Sequence, residues 1–283
     1  MKTIAVVGGT SSLAKYLIPA LSKKNAVISL GRKDCDLYCD LQDDLESMVI
    51  PADTDVVVHI AAAFNGKTDE EIIKTEEINA IGTLKICMAA KKANVKHLIL
   101  ISSQSVVLSE ESLYYSIYSI AKRHAEELAT YYCRLNHLPL AILRPSQIYD
   151  DKGHFRKHQP LIFLMADHAE KGSNIEIYGR NDALRNYIHV EDFVEIILRT
   201  IDKNCEGIYS CNYPKDVTLS EIAKTAQLSF NNGGDIVFLH DKPNIPDNIF
   251  DNQIELYEKI DFYPQIDIAT GMERIVEYRK SRV

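Results

Sequence analysis

Short, continuous apolar runs alternate along the first half of the chain with stretches in which apolar residues recur every three or four positions. The runs end at small or polar residues and predict buried strands, whereas the periodic stretches predict amphipathic helices. The predicted strands cover residues 4–7, 27–30, 55–60, 98–101 and 138–143, and the predicted helices cover residues 13–21, 72–93 and 114–135. Strands and helices in this alternation predict an α/β fold built on a doubly wound parallel sheet.

The pattern changes after Tyr149, where the elements become shorter and less regular. The predicted helices there cover residues 161–169, 190–201, 218–228 and 268–280, and the predicted strands cover residues 175–178, 207–211 and 235–239. We therefore expect one domain at residues 1–149, to which residues 186–211 return. A smaller α/β lobe is expected at residues 150–283, of the irregular kind that covers a substrate.

Charge and composition indicate which kinds of binding partner the chain is not expected to have. The formal net charge of the 283 residues is −8, which argues against binding to nucleic acid or to an acidic membrane surface. No apolar run is long enough to span a membrane, and the run at the start of the chain ends at Gly8. The six cysteines are scattered without the spacing of metal ligands. We therefore expect reduced thiols, no metal ion and a cytoplasmic location.

The first predicted strand, the turn after it and the first helix together resemble the opening of a dinucleotide-binding fold. In such openings, phosphate oxygens bind backbone N–H groups at the helix N-terminus. Gly8 occupies the first position of the usual three-glycine spacing, but Ser11 and Ala14 occupy the other two. Both residues are small, so a phosphate-binding turn and a plain turn both fit the pattern.

A basic residue follows the second predicted strand. Arg32 stands where NAD sites usually carry an acid for the ribose hydroxyls, and its guanidinium suits the 2′-phosphate of NADP. A solvated basic turn is the alternative. Asp40 and Leu41, at the end of the next short strand, are candidates for an adenine contact. The small residues 61–63, after the strand at 55–60, would let the backbone approach the cofactor closely.

Three polar residues form the candidate catalytic group. Ser103 ends the strand segment 95–103, whose apolar run is 98–101, while Tyr118 and Lys122 lie four positions apart and so share one face of the next helix. A lysine ammonium favours the phenolate, and lowering a tyrosine pKa by about three units takes about 4 kcal/mol. Tyr118 could then exchange a proton with a carbonyl/alcohol pair whose oxygen Ser103 holds. In a chain with 15 tyrosines the Tyr-x-x-x-Lys spacing also arises by chance. The catalytic assignment therefore depends on the serine at the strand end and on the motif at the start of the chain as well.

Taken in order, these motifs resemble the extended short-chain dehydrogenase/reductases, specifically the nucleotide-sugar epimerase/dehydratase/reductase group. The resemblance spans almost the whole chain and rests on residues 6–10, 55–62, 79–83, 102–103, 118–122, 143–145 and 185–192. It implies a Rossmann-type fold, an NADP cofactor with NAD as the alternative, and a nucleotide-sugar substrate. Members of this group often form dimers through two helices, and we expect a homodimer through the helices around residues 79–93 and 114–135.

Carried over residue by residue, the resemblance assigns the acid/base to Tyr118. Lys122 would bind the nicotinamide ribose and lower the pKa of the tyrosine, and Ser103 would polarise the substrate oxygen. The predicted cofactor-binding residues are Gly8, Thr10, Ser11, Ser12, Leu13, Arg32, Asp40, Leu41, Ala61, Ala62, Ala63, Asn79, Ser102, Tyr118, Lys122, Pro145 and Ser146. The predicted substrate-binding residues are Ser103, Gln104, Gln147, Arg185 and Lys242. The last two would bind the diphosphate, and for Arg185 a structural ion pair is the alternative.

Departures from the family pattern narrow the reaction. Gln104 and Ser105 follow Ser103 where the dehydratases of this group carry an acid pair, so elimination of water lacks its acid and base. Reductases that also epimerise carry a cysteine there, and Gln104 cannot deprotonate a sugar carbon. We therefore expect reduction of a 4-keto nucleotide sugar with NADP(H). The alternatives are a 4-epimerase with retained NAD and a non-catalytic NADP-binding sensor, which would not need Tyr118 and Lys122 together.

Overall fold

The apolar runs of the first half of the chain form the inner strands of a seven-stranded sheet in the computed structural model, which describes residues 1–64 and 66–282. Within these residues the strands are β1 (Thr3–Val7), β2 (Ala26–Gly31), β3 (Leu37–Tyr38), β4 (Val56–His59), β5 (His97–Ile101), β6 (Leu140–Pro145), β7 (Gln147–Tyr149), β8 (Ile175–Tyr178), β9 (Leu184–Arg185), β10 (Tyr187–His189), β11 (Gly207–Cys211), β12 (Val217–Thr218) and β13 (Ile236–Leu239). The α-helices are α1 (Ala14–Ser22), α2 (Asp69–Glu76), α3 (Gly82–Lys92), α4 (Ile117–Leu135), α5 (Pro160–Glu170), α6 (Val190–Asp202), α7 (Leu219–Phe230), α8 (Glu255–Ile260) and α9 (Ile268–Lys280).

The large sheet has the strand order β11-β6-β5-β4-β1-β2-β3, and its neighbours from β3 to β6 run parallel. The chain moves outward from β1 to β3 and then crosses to the opposite side of β1 to form β4. The strand order therefore reverses between β1 and β4. Open parallel sheets bind ligands beyond the carboxyl ends of their strands at such a reversal. This architecture confirms the predicted doubly wound α/β fold.

Burial of the central strands explains why their sequences are apolar throughout. Every residue of β4 and of β5 is buried, as expected for parallel strands with helices over both faces. Helix α4 buries small residues at a spacing of four, which lets its backbone approach its neighbours closely; they are Ala121, Ala125, Ala129 and Cys133. Helices α3 and α4 pack against each other over this part of the core.

Two predicted helix boundaries are wrong. The helix expected at residues 72–93 begins at Asp69, because the Thr68 side chain accepts a hydrogen bond from the Glu71 amide at 3.3 Å and caps it. A π-helical segment, Glu77–Ile81, then separates α2 from α3. Helix α4 begins at Ile117 rather than at residue 114, because Ser116 is extended, with φ at −159°.

Two compact units are present, and each is described by itself. The first comprises Met1–Pro145, Val194–Ser210 and Glu255–Ile260 and contains most of the large sheet. The second comprises Ser146–Phe193, Cys211–Ile254 and Asp261–Val283. In the second unit, β7 pairs with β10 and β8 with β13, both parallel, and β9 pairs antiparallel with β12. Helices α5, α7 and α9 pack in series. None of the helices in the described residues is both long and apolar enough to cross a membrane.

Residues of the predicted motif at 185–192 hold the second unit together. Asp192 accepts backbone N–H bonds from Gln265 at 3.0 Å and Ile266 at 2.8 Å. His189 is fully buried and its Nε2 lies 2.8 Å from the Asp151 carboxylate. These contacts tie the start of α6 to the segment that leads into α9.

Candidate active site

The turn after β1 brings the chain close to the end of β4. Gly8 has φ at +101°, and a Cβ on it would lie 2.7 Å from the Ala61 nitrogen. Only glycine fits both the left-handed backbone and this close approach. The Ser11 hydroxyl accepts the Ala14 amide at 3.2 Å, so the residue at the second glycine position helps to begin α1. The turn thus presents the N-terminus of α1 at the carboxyl edge of the sheet, where anions are favoured.

The segment after β2 carries the residues predicted to recognise the adenosine end of a cofactor. Arg32 is exposed at the end of β2. The following turn is held by Asp36, whose carboxylate accepts the Ser29 amide at 2.8 Å and the Ser29 hydroxyl at 2.7 Å. Leu41 is buried and Asp40 is half-buried. The Arg32 side chain is open to solvent.

Asn79 anchors the loop that follows β4. Its side-chain amide donates to the Ala63 carbonyl at 2.9 Å, and its side-chain carbonyl accepts the Ala63 amide at 2.7 Å. Asn79 is buried and belongs to the π-helical segment, a distortion often found at functional sites. Asn79 thereby fixes the backbone of residues 61–63 beside the glycine turn.

Ser103 and Tyr118 come together as predicted from their motifs. Ser103 follows β5, and its hydroxyl is hydrogen-bonded to the Tyr118 phenol. The same serine oxygen accepts the Ser105 amide at 3.1 Å, which fixes its orientation. Gln104 is buried in the short 3-10 helix Gln104–Val107. The neighbouring Ser102 hydroxyl is buried and has no hydrogen-bond partner among the described residues.

An aromatic residue that the sequence analysis missed lies over Tyr118. The Phe64 ring stacks on the phenol ring with centroids 4.7 Å apart and an interplanar angle of 20°. Phe64 follows the loop that Asn79 anchors, and half of its surface is exposed. Nothing in the local sequence pattern identifies this contact, because it joins two segments more than fifty positions apart.

Lys122 lies one helical turn after Tyr118, and its surface is only 2% exposed. Its ammonium donates to the Ile101 carbonyl at 2.7 Å. Burial lowers the pKa of Lys122 to about 8, while attraction to Glu126 raises it. Burial raises the pKa of Tyr118 to about 12, and the Ser103 hydrogen bond lowers it in part. Loss of water around the phenolate therefore outweighs the Ser103 hydrogen bond.

A buried histidine at the end of β4 was also not among the predicted site residues. Thr83 donates its hydroxyl to the Asn79 carbonyl at 2.6 Å, so its oxygen accepts from His59 Nε2 at 3.0 Å. Burial, and secondarily the charge of Lys122, lowers the pKa of His59 to about 3. His59 is therefore neutral, with its proton on Nε2.

The remaining predicted residues lie in or beside the second unit. Pro145 is the last residue of β6, and the Ser146 hydroxyl after it is buried without a partner among the described residues. The Gln147 side-chain amide donates to Gln159 at 2.8 Å. Arg185 is 4% exposed and donates to the carbonyls of Leu184 at 2.7 Å and Pro246 at 2.9 Å. Lys242 is exposed.

Comparison with known proteins identifies the family. Residues 4–211 match the NAD dependent epimerase/dehydratase family. The chain belongs to this family. It is therefore an enzyme of the epimerase/dehydratase type, and the order of its motifs agrees with that assignment.

Individual members of the epimerase/dehydratase family resemble the chain over nearly its full length. A "Putative UDP-glucose 4-epimerase" from Methanocaldococcus jannaschii is 23% identical over 304 residues, covering 98% of each sequence. The structure of "UDP-N-acetylglucosamine 4-epimerase" from Methanobrevibacter ruminantium M1 in complex with UDP-N-acetylmuramic acid superimposes with a TM-score of 0.82 at 21% identity, covering 100% of this chain and 99% of that one. The structure of RMD from Pseudomonas aeruginosa complexed with NADPH superimposes with a TM-score of 0.81 at 19% identity, covering 100% of this chain and 100% of that one. The two structures show that the fold is shared.

Proposed function

We propose that the chain is an NADP(H)-dependent oxidoreductase that reduces a 4-keto nucleotide sugar through Ser103, Tyr118 and Lys122. The observation that carries this proposal is the hydrogen-bonded pair of Ser103 and Tyr118, with buried Lys122 one turn along the same helix. Together these groups supply a proton donor and a second hydrogen bond for one substrate oxygen. Lys122 and Tyr118 together also argue against a non-catalytic sensor.

In this reaction Tyr118 donates its phenolic proton to the oxygen of the 4-keto group. Ser103 holds the same oxygen by a hydrogen bond and keeps it within reach of the phenol. The raised pKa of Tyr118 means that the phenol carries its proton at neutral pH, which is the form that a reduction requires. A nicotinamide cofactor, when bound, would supply the hydride for this reduction. The Phe64 ring shields one face of the phenol from water.

Residues of the first unit fit a dinucleotide. The N-terminus of α1 and the turn from Gly8 to Leu13 would hold the phosphates. The unpartnered Ser102 hydroxyl and the Lys122 ammonium offer hydrogen-bond donors at the carboxyl end of β5. Arg32 would bind the 2′-phosphate, which favours NADP over NAD. Asp40, Leu41, residues 61–63 and Pro145 complete the proposed cofactor contacts of the first unit, and Ser146 of the second unit remains a proposed cofactor contact.

The proposed substrate is a nucleotide-linked sugar, because the similar 4-epimerases are named for UDP-linked sugars. Gln104, Gln147, Arg185 and Lys242 remain the proposed contacts to it. Arg185 donates to the backbone carbonyls of Leu184 and Pro246, and the diphosphate is its proposed ligand. All six cysteines lie in the described residues as free thiols, which supports the proposed cytoplasmic location.

A 4-epimerase is the second candidate, and the similar epimerases favour it. One experiment separates the two. The purified protein is given NADPH deuterated at both C4 positions together with a panel of 4-keto nucleotide sugars and, separately, a panel of 4-hydroxy nucleotide sugars, and the products are analysed by mass spectrometry. A reductase transfers one deuterium to the sugar and oxidises one NADPH for each product formed. Interconversion of 4-hydroxy sugars without net loss of NADPH would instead establish the epimerase.

A further inference from the structure

A buried carboxylate lies one turn beyond Lys122 on the same helix. Glu126 is 4% exposed, and positions 118, 122 and 126 follow one another at a spacing of four along α4. Successive side chains at this spacing share one helix face. A buried carboxylate is rare in protein interiors and requires compensating partners. The proposed proton donor, the buried ammonium and Glu126 therefore form one row.

Arg144 on β6 supplies the partner. Its Nε donates to the two carboxylate oxygens of Glu126 at 2.9 and 3.2 Å, and its Nη2 donates to Oε2 at 2.5 Å. The Glu126 side chain is 5% exposed and that of Arg144 is 24% exposed. A forked, charge-assisted contact of this kind fixes both the position of the carboxylate and its negative charge.

The negative charge of Glu126 acts on the ammonium group of Lys122. Its ammonium is buried, and the one hydrogen bond described for it goes to the neutral Ile101 carbonyl. Burial disfavours the ammonium, and Glu126 opposes this effect by attraction. Among the described residues, His59 on β4 is also within electrostatic reach of Lys122, Tyr118 lies one turn earlier on α4, and Arg144 on β6 contacts Glu126. His59 is neutral, and Arg144 is paired with Glu126.

We propose that Glu126 is a positioning residue that keeps the buried ammonium of Lys122 charged, with Arg144 holding the carboxylate in place for this purpose. This proposal rests on the proposed function, because the charge of Lys122 matters for proton transfer at Tyr118. A purely structural pair would fasten α4 to β6 and would leave the titration of Lys122 unchanged.

The helix itself offers a matched control. Glu127 is the next residue along α4, and its side chain is exposed. Glu127→Gln therefore removes the same charge from the same helix without touching the buried row. Glu126→Gln keeps the size of the side chain and one oxygen for Arg144, and it removes only the charge.

The test is an NMR titration of Lys122 in the full-length protein labelled with ε-¹³C-lysine, with the Lys122→Met variant used to assign the signal. In Glu126→Gln we expect the midpoint of Lys122 to fall by about one pH unit or more, the usual effect of a nearby opposite charge. In Glu127→Gln it should stay at the wild-type value. Equal midpoints in the wild type and in Glu126→Gln would overturn the proposal.

A second variant covers the case in which Glu126→Gln does not fold because Arg144 is left unpaired. The double variant Glu126→Gln/Arg144→Gln removes both charges, a change that buried ion pairs often tolerate. It should also lower the midpoint of Lys122, by less than the single variant. An unchanged midpoint in the double variant would likewise overturn the proposal.

The pH dependence of turnover provides the functional measurement. The high-pH limb of kcat/KM should move to lower pH in Glu126→Gln, and Glu126→Asp, which restores the charge, should move it back. If Glu126→Gln lowers the titration midpoint of Lys122 but leaves the high-pH limb of the kcat/KM profile unchanged, the positioning role is overturned. The titration needs no substrate, so failure of every 4-keto nucleotide sugar to react would refute the proposed function without altering the Lys122 result.

Discussion

At the scale of single residues, burial controls the protonation of the candidate catalytic groups. Burial raises the pKa of Tyr118 and lowers that of Lys122, so each group is shifted toward its neutral form. A neutral phenol is a proton donor, which suits the reductive direction. A partly discharged lysine would be a weaker partner for that phenol, which is why the neighbouring Glu126 matters.

The shifted pKa of Lys122 predicts a pH-dependent stability. The unfolded chain holds this proton up to about pH 10.5, whereas the folded chain releases it near pH 8. Below pH 8 the buried ammonium therefore destabilises the folded protein by its full amount. This destabilisation decreases as the pH rises from 8 toward 10.5. Lys122→Met should raise the free energy of unfolding relative to wild type by on the order of 2 kcal/mol more at pH 7 than at pH 10.5. Urea unfolding at the two pH values measures this difference.

The control for this prediction is Lys92→Met at an exposed position of α3. It should change the free energy of unfolding equally at both pH values. A Lys122→Met variant whose effect is also independent of pH would contradict the buried-ammonium account.

The exposed Arg32 predicts the cofactor preference. We expect NADPH to bind about tenfold more tightly than NADH, which corresponds to roughly 1.4 kcal/mol, because the guanidinium can pair with the 2′-phosphate. Arg32→Ala should remove most of this preference, while Lys33→Ala, one position further along the same turn, should retain it. Calorimetric titration measures the four affinities. Equal binding of NADPH and NADH by the wild type would refute the role of Arg32.

At the scale of elements, the turn after β1 lies so close to the end of β4 that it leaves no room for a side chain at position 8. Gly8→Ala introduces both a left-handed alanine and a Cβ 2.7 Å from the Ala61 nitrogen. Gly233 has φ at +89° with no atom within 4 Å of its Cβ position, so Gly233→Ala introduces only the backbone strain. We expect Gly8→Ala to lower the free energy of unfolding by at least about 2 kcal/mol more than Gly233→Ala. Similar losses by chemical denaturation would contradict this packing argument.

The elements that the sequence predicted well are those whose burial leaves a local signature. Strands β4 and β5 are buried on both faces and therefore appear as continuous apolar runs. The π-helical segment Glu77–Ile81 could not be predicted, because an extra residue in one turn barely disturbs the apolar period. Short pairings such as β9 with β12 depend on contacts between distant segments, and two-residue strands carry no recognisable period.

In the candidate site, too, the features with a local sequence signature were predicted and the contacts between distant segments were not. Spacing along one helix and the end of one strand predicted that Ser103, Tyr118 and Lys122 share a site, and the structure places Ser103 against Tyr118. The stacking of Phe64 on Tyr118 and the pairing of Glu126 with Arg144 were missed. Each joins elements that are distant in sequence, and a single phenylalanine or glutamate has no spacing that distinguishes it from core or surface residues.

At the scale of the whole molecule, the exposed apolar residues predict self-association. Helix α4 presents a stripe of exposed Ile120, Tyr131 and Leu135, at positions that share one helix face, and Ile73 on α2 is also exposed. Ile86 on α3 is fully buried in the core and does not belong to this exposed surface. We predict a homodimer through α4 and its neighbouring helices.

Light scattering at micromolar concentration measures the state of association. The wild type should have the mass of a dimer, and Tyr131→Glu with Leu135→Glu should shift it to that of a monomer. Substituting glutamate at Leu228, which is exposed on α7 of the other unit, should leave the dimer intact. A monomeric wild type would refute the predicted dimer.

Tyr118 is the proposed proton donor in the reduction of a 4-keto nucleotide sugar by NADPH. Tyr118→Phe removes only the hydroxyl and leaves the ring that stacks on Phe64. The most direct measurement is the kcat of this variant beside that of the wild type on the same substrate, with NADPH affinity measured in parallel. We predict a kcat lower by roughly a hundredfold or more with little change in NADPH affinity. A kcat close to that of the wild type would contradict the account.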